Sequence, residues 1–277
     1  MSNKGPGLFS DFDKKAKELL NKDYSTDLKI TVSSSSEAGV AFAPSVVKKG
    51  GLYLGDVAAR CKYKKAAVDF RLDTQSNVVT ALSVTDVGPL TKAIASVKVP
   101  DYNSGKLELQ YLQQHGSLTA AVGLNKSPAI DLSATMGTPS IAFGAEATYD
   151  TASREFAKYN TGFSYSHKDS NASIILADKG DSIRASYLQY LNKLNRGAVV
   201  GEISRKFSTN ESTLTVGCSY LVDPQTTVKA KLNNHGNLGA LLQHELKPNS
   251  FLTISGAFDT KALQNTPKFG LALSLKP

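Results

Sequence analysis

Four histidines, two cysteines and a scatter of carboxylates are the side chains that could act chemically on a substrate in this chain of 277 residues. His115, His167, His235 and His244 fall at no metal-ligand spacing and sit mostly among turn formers, so ordinary exposed imidazoles are expected rather than ligands or bases. Cys61 and Cys218 lie far apart and are expected as two inert thiols, because a disulfide framework or a cysteine metal site needs more ligands at closer spacing. No nucleophile elbow or phosphate loop occurs. Gly270-Leu271-Ala272-Leu273 lacks the strand-to-helix turn that would build an amide cradle. The expectation is a protein without catalytic residues, metal or cofactor.

The chemistry carried by this sequence is electrostatic instead. Thirty-two basic against 24 acidic side chains leave a formal charge of +8 and a pI near 9.3, which favours anionic partners. The cations are spread along the whole chain with no basic tail, zinc finger or RNA-binding aromatic motif, so no specific nucleic acid is expected. With 41% hydrophobic and 20% charged residues the chain is not disordered, and no run of about 18 apolar residues offers a helix that spans a bilayer. Met1-Ser2-Asn3-Lys4-Gly5-Pro6-Gly7 lacks the apolar core of a secretory signal, and Asp11 and Asp13 do not suit a transit peptide, so no cleaved presequence is expected.

Two kinds of element must position these charges. Residues 8–20 place Leu8, Phe9, Phe12, Ala16, Leu19 and Leu20 on one helical stripe, with Asp11, Lys14, Lys15, Lys17 and Glu18 elsewhere, which predicts one amphipathic helix. From about residue 25 the period becomes two. Val68-Asp69-Phe70-Arg71-Leu72-Asp73 alternates strictly, and the same alternation returns in 27–32, 106–111, 182–187, 212–220, 250–258 and 268–275, separated by turn formers. The pattern predicts an all-β unit over 25–277, of strands about nine to eleven residues long, behind a helix and linker over 1–24. Alternation alone fits either a soluble sheet with its apolar face inward or a membrane barrel with that face outward. Small polar-face residues, the unbroken series and the lack of a covering layer favour the membrane barrel.

Tyr220-Leu221-Val222-Asp223-Pro224-Gln225-Thr226-Thr227-Val228-Lys229-Ala230-Lys231-Leu232-Asn233-Asn234, followed by Gly239-Ala240-Leu241-Leu242, resembles the signature of the eukaryotic mitochondrial porins, the voltage-dependent anion channels. The Gly-Pro-Gly-Leu-Phe opening is similar to that of plant members. The resemblance implies a transmembrane β-barrel of nineteen strands with the N-terminal amphipathic helix inside the pore, integral to the mitochondrial outer membrane. It implies diffusion of small ions and metabolites such as ATP, ADP and phosphate, weak anion selectivity and closure under voltage. The implied partners are membrane lipid, permeating anions and adenine nucleotides, the outer-membrane insertion machinery and further copies of the chain. Lys268, Gly270, Leu273 and Leu275 resemble the terminal-strand insertion signal. A soluble all-β carrier of an apolar ligand is the competing reading.

On the barrel reading, strand parity assigns Lys29, Arg60, Lys62, Arg71, Lys106, Arg184, Lys229 and Lys231 to the lumen, against Asp27, Asp69, Asp73, Glu108 and Glu146. Within the pore, Leu8, Phe12, Ala16 and Leu19 are expected against the wall, with Lys14, Lys15 and Lys17 turned to the passage. Two departures from the family pattern stand out. The linker Asn21-Lys22-Asp23-Tyr24-Ser25-Thr26 has no glycine, which argues against a glycine hinge, and an early strand presents Phe70 and Leu72 where some relatives place a lipid-facing acid.

Overall fold

The computed structural model describes residues 5–37, 39–88, 90–191, 196–261 and 266–276. A 3₁₀ turn (Phe9–Asp11) and a helix, α1 (Lys14–Asn21), precede the strands. The first seven strands are β1 (Leu28–Val32, prolonged by Ser34–Ser35), β2 (Val40–Lys49), β3 (Leu52–Tyr63), β4 (Ala66–Asp73), β5 (Val78–Thr85), β6 (Thr91–Val99) and β7 (Lys106–Leu112). They are followed by β8 (Gly116–Gly123), β9 (Ala129–Gly137), β10 (Ile141–Asp150), β11 (Glu155–Ser166), β12 (Ser170–Ala177) and β13 (Ser182–Tyr190). The last six are β14 (Gly197–Lys206), β15 (Glu211–Asp223), β16 (Thr226–Asn233), β17 (Asn237–Lys247), β18 (Ser250–Asp259) and β19 (Lys268–Leu275).

Each strand pairs antiparallel with its successor, and short turns such as Pro224-Gln225 between β15 and β16 make that possible. With nineteen strands running alternately up and down, the first and last point the same way, so closure demands one parallel seam. It is there: β1 pairs parallel with β19, Leu28 opposite Leu271 and Val32 opposite Leu275. No unpaired edge remains. Strands about 4.8 Å apart and tilted about 40° make a backbone ring on the order of 35–40 Å across, which a helix about 10 Å thick cannot fill.

The register decides between the two readings of the alternation. Leu132, Met136, Ile141 and Phe143 point outward and stay widely exposed, Met136 at 72%, and the same outward face carries Phe70, Leu72, Leu271, Leu273 and Leu275. The inward face is small and polar, as in Ser45, Ser117, Thr135, Ser173, Ser186 and Thr253, all buried. The two clusters of buried apolar residues both form where the N-terminal segment touches the wall. A soluble carrier packs its apolar faces into a dry interior; here they face out, an arrangement stable only against hydrocarbon.

The helix differs from the single run expected over 8–20. It is broken at Phe12-Asp13, where the Asp13 backbone leaves helical geometry and its carboxylate turns to the wall instead of capping α1. The break rotates the buried stripe to Phe9, Phe12, Ala16 and Leu20, leaving Leu8 and Leu19 partly buried. Strand lengths run from five to thirteen residues, wider than expected.

Candidate pore and its inner segment

Small residues on the inward face make a track that seats residues 5–27. A β-carbon on Gly144 would stand 2.6 Å from the Phe9 ring, and one on Gly217 2.7 Å from Leu20 Cδ2. One on Gly270 would lie 1.9 Å from the Ser25 carbonyl oxygen, backbone that cannot swing aside. The first anchor is at Gly7, whose carbonyl accepts from Ser117 Oγ at 2.8 Å and Thr135 Oγ1 at 2.7 Å. Phe9 and Phe12, with ring centroids 5.2 Å apart, then pack with Ala142 and Ile175. Ala16 and Leu20 pack with Leu188 and Val200.

Charges fix the segment between these apolar seats. Asp13, buried, pairs with Lys17 at 2.6 Å and with Arg184 at 3.3 Å. Lys15 Nζ donates to Asn171 Oδ1 at 2.9 Å. At the C-terminal end Lys231 Nζ donates to the Leu20 carbonyl at 2.7 Å and lies 4.4 Å from the centroid of the Tyr24 ring, which places a cation on the negative end of the helix dipole. Burial pushes the Tyr24 phenol up to about 12, so it stays neutral beside that ammonium. Asp23 takes the left-handed conformation at φ 71° that a glycine usually supplies, and Lys229 holds it at 3.6 Å. Beyond it the Ser25 carbonyl accepts from Ser255 Oγ and the Asp27 carbonyl from the Leu271 amide. The linker is therefore pinned along the wall.

Among the described residues the segment's hydrogen bonds and ion pairs to the wall fall on β8 to β19, and Leu8 and Ser10 also border a space over Lys106, Glu108 and Gln110 of β7. All eight basic residues assigned by parity lie on the inward register, on two different kinds of wall. Arg184, Lys229 and Lys231 are engaged with the segment. Arg60, Arg71 and Lys106 pair across strands with Asp69 at 3.0 Å, Asp56 at 3.1 Å and Asp131 at 2.8 Å. Lys29 and Lys62 make no ion pair among the described residues. The inward row also holds Asp69, Asp73, Glu108 and Glu146, in register with Arg60, Asp56, Ala121 and Asn160. On the segment, Lys14 pairs with Asp11 at 3.5 Å, while Lys15 and Lys17 are tied as above.

In β19, Lys268 and Gly270 are inward while Leu273 and Leu275 are outward. Of the histidines, His244 departs from expectation: it lies within β17 on the outward register, with Nδ1 2.9 Å from Thr226 Oγ1. Cys61 and Cys218 are both free and exposed, on the outward register. Sequence reasoning missed the roles of Asp13 and Tyr24 and the glycine track. The track did leave a signal, in glycines at inward parity in Gly144, Gly162, Gly217, Gly239 and Gly270, each of which costs a strand stability unless something must approach closely.

Comparison with known proteins adds to this geometry. A family model described as eukaryotic porin matches residues 5–270. Mitochondrial outer membrane protein porin 2 of Arabidopsis thaliana is 56% identical over 99% of this chain and 100% of its own. Mitochondrial outer membrane protein porin 5 of Oryza sativa subsp. japonica is 54% identical over 100% of both, and the outer plastidial membrane protein porin of Pisum sativum is 45% identical over 99% of both. A closed barrel with its apolar face outward, a segment seated inside it and a family match over nearly its whole length agree: the chain belongs to the eukaryotic porin family.

Proposed function

We propose that this porin is a voltage-gated, weakly anion-selective channel of the mitochondrial outer membrane, through which small ions and metabolites such as ATP, ADP and phosphate diffuse. One observation carries the reading: the strand charges Arg60, Asp69, Arg71, Lys106 and Glu108 lie on the inward register while apolar neighbours such as Val68, Phe70, Leu72, Leu107 and Leu109 face out, so the wall is built to hold a wide aqueous passage in hydrocarbon. Lys29, Arg60, Lys62, Arg71, Lys106, Arg184, Lys229 and Lys231 bias the potential toward anions, and the ion pairs on half of the wall keep that bias small. The channel needs no catalytic residue or cofactor.

Residues 1–24 act as the gating unit of this proposal and 25–277 as the wall, with Leu8 and Phe12 toward the wall and Lys14, Lys15 and Lys17 among the charges that respond to voltage. A charge crossing the field contributes about 2.3 kcal/mol per 100 mV. Lys268, Gly270, Leu273 and Leu275 serve as the signal read by the insertion machinery, and further copies of the chain are partners in the membrane. Planar-bilayer recording of the purified full-length chain tests the core of this reading. A reversal potential displaced toward the chloride equilibrium in a KCl gradient is expected, with conductance falling at high voltage of either sign. No conductance, or a cation-directed reversal potential, refutes it. Deleting residues 1–20 is expected to abolish the voltage-dependent step; unchanged closure removes the gating role.

A further inference from the structure

The two apolar seats of the N-terminal segment leave a hollow between them. Phe12 packs with Ala142 on one side and Ala16 with Leu188 on the other, with Lys15 over the gap. The space, about 160 Å³, is lined by Phe12, Lys15 and Ala16 of the segment and by Ser164, Ser166 and Asn171 of the wall. One water needs about 10–15 Å³ and a drug-sized ligand about 300–1,000 Å³, so the hollow suits a small organic molecule.

Two inward rows of the wall fix the layout. One runs Ser166, Asn171, Leu188 across β11 to β13, and the next runs Ala142, Ser164, Ser173, Ser186 across β10 to β13. Ser166 Oγ donates to Asn171 Oδ1 at 2.6 Å, and Lys15 Nζ donates to the same oxygen at 2.9 Å. An ammonium can only donate, so these bonds fix which end of the amide is oxygen and leave its NH2 end unmet. Asn171 Nδ2 is shut off from solvent and has no hydrogen-bond partner among the described residues. A buried donor in that state is rare and costly. Lys15 meets only a neutral amide here and makes no ion pair among the described residues. The carboxylate on the lining, Asp11, is already engaged by Lys14 at 3.5 Å and by the Leu8 amide at 3.3 Å.

We propose that this hollow is a binding site for a short aliphatic carboxylate, held between the N-terminal segment and the wall. One carboxylate oxygen accepts from the Asn171 amide and the other meets the Lys15 ammonium. The anion thus supplies what each lacks, an acceptor for the orphaned donor and a counter-charge for the cation. Its alkyl chain lies on Phe12, Ala16, Ala142 and Leu188. A phosphate carries oxygens on every side, and those turned to these apolar groups go without donors. Because Lys15 belongs to the segment and Asn171 to β12, an occupied site ties one to the other. The ligand therefore stabilises the seated segment, and this consequence for closure rests on the gating role proposed above.

Butyrate is the probe, and the full-length chain in detergent micelles is the sample. As butyrate replaces chloride at constant ionic strength, the NMR signals of the Asn171 side-chain amide and of the Lys15 and Ala16 backbone amides are expected to shift saturably. Lys15→Gln is expected to raise the half-saturating concentration about tenfold. Lys22→Gln removes the same charge from the segment outside the hollow and is expected to change it less than twofold. Asn171→Asp keeps an acceptor for Lys15 and Ser166 but sets a negative charge where the donor stood, and is expected to abolish the shifts at Lys15 and Ala16. Butyramide, of the same shape without the charge, and inorganic phosphate are each expected to bind several-fold more weakly. No saturable shift, equal effects of the two lysine variants, or an undiminished response in Asn171→Asp overturns the site. Equal potency of phosphate and butyrate overturns the carboxylate class. Dispersed strand signals in each variant report that the barrel is formed. In planar bilayers butyrate is expected to raise the voltage needed to close the unaltered chain but not Asn171→Asp, and an unchanged closing voltage overturns the coupling to closure. The titration needs no current, so loss of the site and loss of the channel reading remain distinguishable.

Discussion

At the scale of single residues, Gly270 stands where two demands meet. It occupies the glycine position of the resemblance to an insertion signal, and it is also the place where the Ser25 carbonyl lies against the wall with no room for a methyl group. Refolding of denatured chain into detergent, with no insertion machinery present, separates the demands. Gly270→Ala is expected to form a barrel under those conditions that is less stable by about 1–3 kcal/mol, the ordinary cost of overpacking, with the linker displaced from Ser255. Thermal or urea unfolding followed by far-UV circular dichroism measures it. Stability equal to that of the unaltered chain would leave the glycine with a recognition role alone. Gly217→Ala makes a useful contrast, because the atom it meets is the free end of Leu20, which can rotate away, so the expected loss is smaller.

The helix and its linker show how the element is held and how much of that was legible in advance. Apolar periodicity alone marks residues 8–20 as an amphipathic helix with Leu8, Phe12, Ala16 and Leu19 against the wall, of which Phe12 and Ala16 are buried and Leu8 and Leu19 only partly so. Periodicity could not foresee the break at Phe12-Asp13, because the Asp13 carboxylate there meets Arg184, a partner 171 positions away. For the same reason Lys229 and Lys231 are legible as inward-facing but not as clamps on Asp23 and Leu20. Parity locates a side chain on a face, whereas its partner depends on where another element crosses that face. Arg184→Gln is expected to destabilise the seated segment by only about 1–2 kcal/mol, since Lys17 at 2.6 Å keeps Asp13 partly compensated. Lys17→Gln combined with Arg184→Gln leaves a buried carboxylate alone and is expected to cost about 3–5 kcal/mol. Amide hydrogen exchange over residues 14–21 reads both, and additive single effects would contradict the shared-partner argument. A second tie belongs to the rim. The Ser208 hydroxyl and amide hold the Asp181 carboxyl below the usual carboxylate range, joining the turn before β13 to the turn before β15. A carboxylate with its folded value depressed contributes stability above its unfolded value near 3.9, and that contribution fades as pH falls through the folded value. Protection of the 207–210 turn is therefore expected to weaken on acidification in that window, and to become independent of pH there in Asp181→Asn.

For the whole molecule, the balance of charges limits how the pore can sense voltage. The described part of the segment up to residue 23 carries Asp11, Asp13, Glu18 and Asp23 against Lys14, Lys15, Lys17 and Lys22, four of each sign. Moving it rigidly through the field transfers almost no net charge, so at about 2.3 kcal/mol per charge per 100 mV such a motion couples weakly to voltage. A steep response requires charges of opposite sign to separate, and the pairs available are those joining segment to wall: Asp13 with Arg184 and Asp23 with Lys229. When such a pair opens, the wall keeps its cation while the segment carries its acid away, so charge moves even though residues 5–23 carry no net charge. Removing one wall cation, Lys229→Gln, is expected to shift the closing voltage without abolishing conductance. Asp23→Asn with Lys229→Gln, in which neither charge remains, is expected to reduce the steepness of closure. The same electrostatics set the salt response: with a screening length near 8 Å at physiological ionic strength, wall charges reach only part of a lumen this wide. Anion preference is therefore expected to fall steadily as KCl is raised toward 1 M while conductance keeps rising, both read from reversal potentials and currents in the same bilayer. A preference that persists undiminished at high salt would contradict a long-range field and point to discrete binding along the wall.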